Sequence, residues 1–123
     1  MNPLVLLVDD DVHNQIIFAT VLRHAGFEVL VATSGDEALR EARARLPALI
    51  LMDLLIPVVD GWECTRLLKA DPATAGSQIV ALTAHAMSGD EERALAAGCD
   101  GYLSKPISPR RLVSEVKQRL GVE

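Results

Sequence analysis

LVLLVDDD, residues 4–11, sets five consecutive apolar residues directly before three carboxylates. A run of that length, rich in Val and Leu, has the size of a strand covered on both faces, where the apolar and polar alternation of a one-sided sheet is lost. Similar short runs recur at Val29 to Ala32, Leu49 to Met52 and Ile79 to Leu82, with a weaker fifth around Tyr102 and Leu103. Between them the spacing turns helical: Ile17, Val21 and Ala25 form the expected inner stripe of the first helix, and Ala38, Leu39, Ala42 and Leu46 that of the second.

Punctuation agrees with this alternation. Ser34 with Glu37 and Ser88 with Glu91 have the spacing of a capping box, and Asp11 suits the N-cap of the first helix. Ser108 before Pro109 fits an N-cap followed by proline in the first turn. Gly26, Gly98 and Gly121 fall where periodic segments stop, and Asp71 with Pro72 marks a further turn. Five βα units in succession require right-handed crossovers that return over a parallel sheet. The expected architecture is therefore α/β, a doubly wound five-stranded parallel sheet in the order 2-1-3-4-5 with five helices.

The totals suit such a fold. At 123 residues the chain has room for one domain with a real core, and half of its residues are hydrophobic with only one Trp, one Tyr and two Phe, so that core must be aliphatic. A formal net charge of −5 disfavours binding to nucleic acid or anionic membrane through bulk electrostatics. No apolar run reaches the roughly 18 to 20 residues of a membrane span, and no basic segment followed by a secretory core opens the chain. A cytoplasmic protein without membrane attachment is expected. Cys64 and Cys99 belong to no metal-binding spacing and are expected as free thiols.

In an open parallel sheet the functional crevice lies beyond the carboxyl ends of the strands. The residues that fall there are Asp9, Asp10 and Asp11 after the first run, Asp53 after the third, Thr83 after the fourth, and Lys105 with Pro106 after the fifth. Carboxylates gathered at one edge resist common ionisation unless a cation compensates, and hard oxygen donors suit Mg²⁺. Lys105 would complement an added phosphoryl dianion, and Thr83 could donate a hydrogen bond to it. Phosphoryl transfer, driven by positioning and charge neutralisation, is the chemistry such a set supports, with Asp53 as nucleophile and the acids of the first loop as metal holders.

The motifs LLVDDD at 6–11, LMDLLIPVVDG at 51–61, LTAHAMSGD at 82–90 and GCDGYLSKPIS at 98–108 resemble the CheY-like receiver domain of bacterial response regulators, across essentially the whole chain. The last two are especially similar to stand-alone receivers and to receivers of hybrid kinases. The resemblance implies a flavodoxin-like fold and a two-component or phosphorelay switch, not a metabolic enzyme. By position it implies Asp53 as phosphoacceptor, Asp9 and Asp10 as the acidic pair that organises Mg²⁺ (with Mn²⁺ as a substitute), Asp10 as direct ligand, and the main-chain carbonyl of Leu55 as another. It further implies Thr83 as the switch hydroxyl, Lys105 as the ion pair to the phosphoryl group, Tyr102 as the aromatic that changes rotamer, and a cis Lys105–Pro106 bond. The implied partners are a histidine kinase or phosphotransfer protein as donor, and a downstream protein read through the fourth helix, fifth strand and fifth helix. Residues 1–123 are expected to be a single receiver with no output domain. Ile56 and Val59 stand where the family more often carries methionine, and Leu55 and His85 occupy variable positions beside the site.

Each residue has a plainer reading. A single Asp at a strand end is an ordinary loop acid, Thr83 alone a β-branched strand residue, Tyr102 alone a core aromatic and Lys105 alone a solvated charge. Convergence of all of them on one edge favours the site. His13, His24 and His85 show no ligand spacing, and Trp62 is expected to pack rather than bind. Two other functional classes fit acids at strand ends: a phosphohydrolase with an aspartyl-phosphate intermediate, and a binding-only pseudo-receiver. The first normally needs more chain to select a substrate, and the second is disfavoured by the complete set of Asp, Thr and Lys.

Overall fold

A computed structural model describes residues 2–83 and 89–122. In chain order the elements are β1 (Leu4–Val8), α1 (Val12–His24), β2 (Glu28–Ala32), α2 (Gly35–Arg45), β3 (Leu49–Asp53), α3 (Gly61–Ala70), β4 (Gln78–Thr83), α4 (Asp90–Ala97), β5 (Gly101–Ser104) and α5 (Pro109–Leu120). All strand pairs are parallel, and the sheet runs β2-β1-β3-β4-β5. The expected order is thus the observed one. Each apolar run became a strand because both of its faces are covered: every residue of β3 is buried, Asp53 included.

Side chains along a strand alternate between faces, so the sheet divides its apolar residues between two cores. Leu6, Val8, Ile50, Met52, Ile79 and Ala81 meet Ala38, Leu39, Ala42, Cys64, Leu68 and Ala94 from α2, α3 and α4. Val5, Leu7, Leu49, Leu51, Val80 and Leu82 meet Phe18, Ala19, Leu22, Leu112 and Val116 from α1 and α5. Burying a side chain of Leu or Ile size is worth roughly 1.5–3 kcal/mol, and neither core could close without the other because they share the same strands.

The inner stripe of α1 differs from the one expected. Phe18, Ala19 and Leu22 face the sheet, while Ile17 is 46% exposed and Val21 and Ala25 are only partly covered. In α2, Ala38, Leu39 and Ala42 are buried as expected, but Leu46 leaves the stripe as a left-handed C-cap and lies exposed. Ser34 does occupy the N-cap of α2, yet no capping box forms: its hydroxyl donates to Asp36, and Glu37 accepts from the Thr33 amide. Asp11 and Ser108 cap α1 and α5 through their side chains, as expected. Ser88 and His85 lie outside the described residues, and α4 starts after Gly89 in a left-handed conformation. No helix is long and apolar enough to cross a membrane, among the residues described.

The loop between β3 and α3 is clasped to α2. The Gly35 amide donates to the Pro57 carbonyl at 3.0 Å, and the buried Cys64 thiol donates to the carbonyls of Gly35 and Val59 at 3.4 and 3.5 Å. Val58, at the tip, is held at φ 73, a costly conformation for a β-branched residue, with its side chain 78% exposed. A Cβ on Gly35 would stand 1.7 Å from the Val59 carbonyl oxygen, which is backbone and cannot rotate away. Helix propensity favours Ala over Gly by about 1 kcal/mol, but overpacking against fixed backbone costs about 1–3 kcal/mol or more. Gly35→Ala is therefore expected to lower stability by about 2 kcal/mol in urea unfolding; a neutral or stabilising result would contradict the clasp.

Candidate functional site

β1, β3, β4 and β5 end at one edge of the sheet, and each delivers a polar residue there. Asp9 follows β1, and its amide donates to the Ala32 carbonyl at 3.0 Å, continuing the pairing with β2. Asp53 ends β3 opposite Leu82, and Thr83 ends β4 opposite Ser104. The Lys105 amide donates to the Thr83 carbonyl at 2.8 Å, so the chain beyond β5 stays against β4, and the Lys105–Pro106 bond is cis.

Lys105 reaches back across the edge. Its Nζ donates to Asp9 Oδ2 at 2.9 Å and to Asp53 Oδ2 at 3.2 Å, with its side chain only 13% exposed. The remaining oxygens are also engaged: Asp9 Oδ1 accepts from the Asp11 amide at 2.9 Å and Asp53 Oδ1 from the Leu55 amide at 3.0 Å. Asp9 and Asp53 are buried, whereas Asp10 is exposed. Carboxylate oxygens of Asp9, Asp10 and Asp53 nevertheless lie within 4.8 Å of one another.

Burial dominates the titration of Asp53. Loss of hydration pushes its carboxyl above the ordinary 3.8, an effect that the Leu55 amide and Lys105 only partly offset and that the neighbouring Asp9 charge reinforces. For Lys105 burial is again the largest influence and works downward, but hydrogen bonding to Asp9 and the charges of Asp53 and Asp9 together outweigh it and hold the ammonium above 10.5. The lysine is therefore a fixed cation. Three carboxylates face one ammonium, which leaves two negative charges uncompensated when all are ionised. A small divalent cation matches both that charge and the hard oxygen donors, so the residues present fit Mg²⁺.

The other candidates fall as follows. Thr83 is 1% exposed at the end of β4. Leu55 contributes its amide to Asp53 and leaves its side chain 52% exposed. Tyr102, on β5, packs its ring against the core beneath α2, α3 and α4, and its buried hydroxyl meets no hydrogen-bond partner among the described residues. Burial, with Asp90 next in weight, raises the Tyr102 phenol above 10. His13 and His24 are exposed on α1 and belong to no group of potential metal ligands among the described residues. Trp62 packs partly buried on α3 under the Arg93 guanidinium, 4.3 Å from its ring centroid. Cys64 and Cys99 are buried thiols, Cys64 being pushed up to about 12 mainly by burial.

One contact at the site was not anticipated. Gln15, in the second turn of α1, donates from Nε2 to the main-chain carbonyl of Asp9 at 2.6 Å. A glutamine in an N-terminal helical turn carries no signal in sequence, because what it holds is a backbone atom.

A raised carboxyl means that the folded chain favours the protonated form of Asp53. Its contribution to stability is thus present below 3.8 and is lost as the pH climbs through the folded value, so ionised Asp53 burdens the metal-free protein at neutral pH. Asp53→Asn is expected to be more resistant to urea than the wild type at neutral pH in chelator, with the gap closing in acid. A variant less stable than wild type at neutral pH would overturn this electrostatic account.

Comparison with known proteins gives a consistent result. The family model for the response regulator receiver domain matches residues 5–117. The polar-differentiation response regulator DivK of Brucella ovis is 42% identical over 121 residues, covering 98% of each chain. Among solved structures, a putative response regulator from Chloroflexus aurantiacus J-10-fl superposes with a TM-score of 0.92 at 36% identity, over 98% of this chain and 99% of that one. The receiver domain of a sensor histidine kinase from Pseudomonas aeruginosa PAO1, solved with a magnesium ion coordinated in its active site cleft, superposes with a TM-score of 0.90 at 36% identity and the same coverage.

Proposed function

We propose, from the premise that this chain belongs to the response regulator receiver family and has a phosphoacceptor signalling role, that Asp53 is the residue phosphorylated. The observation that carries this reading is the setting of its carboxylate: at the end of the central strand, 7% exposed, with a fixed ammonium on one oxygen and the Leu55 amide on the other. Attack by a carboxylate oxygen would form the new O–P bond while the N–P bond of a phosphohistidine donor breaks and its electron pair returns to the imidazole nitrogen. Asp10 as direct ligand, Asp53, and the Leu55 carbonyl would hold Mg²⁺, with Asp9 orienting the group; Mn²⁺ would substitute. The support is the oxygen cluster and the magnesium ion described for the Pseudomonas receiver. Bound there, the cation would supply charge neutralisation on the transferring phosphoryl oxygens.

The finer roles follow from placement. Lys105 would exchange its Asp53 contact for a phosphoryl oxygen, and Thr83 would donate its hydroxyl to another. Its movement would open space for the Tyr102 ring, whose hydroxyl lacks a protein partner among the described residues. The surface of α4, β5 and α5 would then change for a downstream protein, with a histidine kinase or phosphotransfer protein as the donor. The chain would catalyse its own phosphorylation and the later loss of the phosphoryl group, while remaining a signalling protein rather than a metabolic enzyme.

Incubation with Mg²⁺ and a small acyl or amidophosphate donor, followed by intact mass measurement and peptide mapping, tests this. One phosphoryl group on Asp53 is expected, none on Asp53→Asn, and labelling slower by roughly 10²-fold in Lys105→Met. Labelling at another residue, or undiminished labelling of Asp53→Asn, would overturn the assignment.

A further inference from the structure

We infer that Gln15 is a positioning residue for the cation site, acting on Asp10 through the main chain of Asp9; this rests on the Mg²⁺ reading above. Every polar atom of Asp9 is engaged. Its amide donates to Ala32, its carbonyl accepts from Gln15 Nε2 at 2.6 Å, its Oδ1 accepts from the Asp11 amide and its Oδ2 from Lys105. Asp9 is 0% exposed, so without Gln15 its carbonyl would face the interior with no donor.

Asp10 is held differently. It is exposed, and no hydrogen bond to its carboxylate occurs among the described residues. Its placement near Asp9 and Asp53 therefore depends on the direction in which its backbone leaves Asp9. The peptide between Asp9 and Asp10 is one planar unit, so fixing its oxygen fixes the orientation of its nitrogen and the departure of the Asp10 Cα. Gln15 holds that oxygen.

The loop is closed by its own chemistry. Asp11 caps α1 by accepting from the His13 and Asn14 amides, and the Gln15 amide donates to the Asp11 carbonyl at 3.0 Å. The helix so started carries Gln15 back over Asp9. A side chain of this length with an amide donor at its tip is needed: methionine would reach but donate nothing, and glutamate would present an acceptor to an acceptor.

Mg²⁺ titrations followed by amide NMR shifts, on wild type, Gln15→Met and Gln15→Glu, test the inference. Both variants are expected to bind about ten-fold more weakly, the size of effect typical when support behind a metal ligand is removed. The glutamate variant is decisive, because its added negative charge would tighten cation binding if Gln15 were a bystander. In phosphorylation assays both should need more Mg²⁺ for half-maximal rate, while the rate at saturating Mg²⁺ stays within about two-fold of wild type. Unchanged affinity in Gln15→Met, or tighter binding in Gln15→Glu, would overturn the role of Gln15 alone. Should Gln15→Met fail to fold, Gln15→Glu decides the matter by itself. A wild-type protein that shows no saturable Mg²⁺ shifts would overturn the metal reading, and this inference with it.

Discussion

The shared ammonium of Lys105 is the constraint on which the site depends. A parallel sheet built from βα units brings strand ends together at one edge, and here that edge collects Asp9 and Asp53, both buried. Burying two carboxylates side by side without a counter-charge is costly. Lys105 bridges them at 2.9 and 3.2 Å and offsets one of their two charges. Such a buried bridge adds little net stability, because dehydrating three ionic groups consumes most of the attraction between them. Its consequence is functional: the bridge compensates one charge and leaves a deficit that suits a divalent ion.

The surrounding structure serves that edge at one remove. Gly35 and Cys64 hold the loop after Asp53 by gripping carbonyls of Pro57 and Val59. Close approach at Gly61 does the same at the start of α3, where a Cβ would meet the Leu54 Cα at 2.5 Å. Gln15 grips the Asp9 carbonyl on the other side. The buried carboxylates of Asp9 and Asp53 thus stand between loops fixed through their main chains, each with one oxygen on the Lys105 ammonium and the other on a backbone amide.

The fold was legible because its strands are covered on both faces. That covering turns them into short apolar runs, and all five lie within a residue of their expected positions, with the sheet order being that of a doubly wound fold built from successive βα units. The face of α1 was not legible. Ile16, Ile17, Phe18, Ala19, Val21 and Leu22 put apolar side chains on several faces at once, and only docking against the sheet selects Phe18, Ala19 and Leu22. At Ser34 the capping box did not form: the hydroxyl donates to Asp36 at 2.6 Å and accepts from no backbone amide of the first turn, while Glu37 turns to the Thr33 amide. At the site, Asp9, Asp53 and Lys105 could be found from sequence because they are ionisable groups in places where a strand ends. Gln15 and Gly35 act on carbonyl oxygens, which every residue possesses, so nothing in their identity betrayed them.

Anomalous scattering from crystals grown with Mn²⁺ would locate the cation directly. One strong peak is expected within coordination distance of carboxylate oxygens of Asp10 and Asp53 and of the Leu55 carbonyl oxygen, with Lys105 still against Asp9. A peak elsewhere on the chain, or none at this edge at saturating metal, would contradict a cation site built on these oxygens.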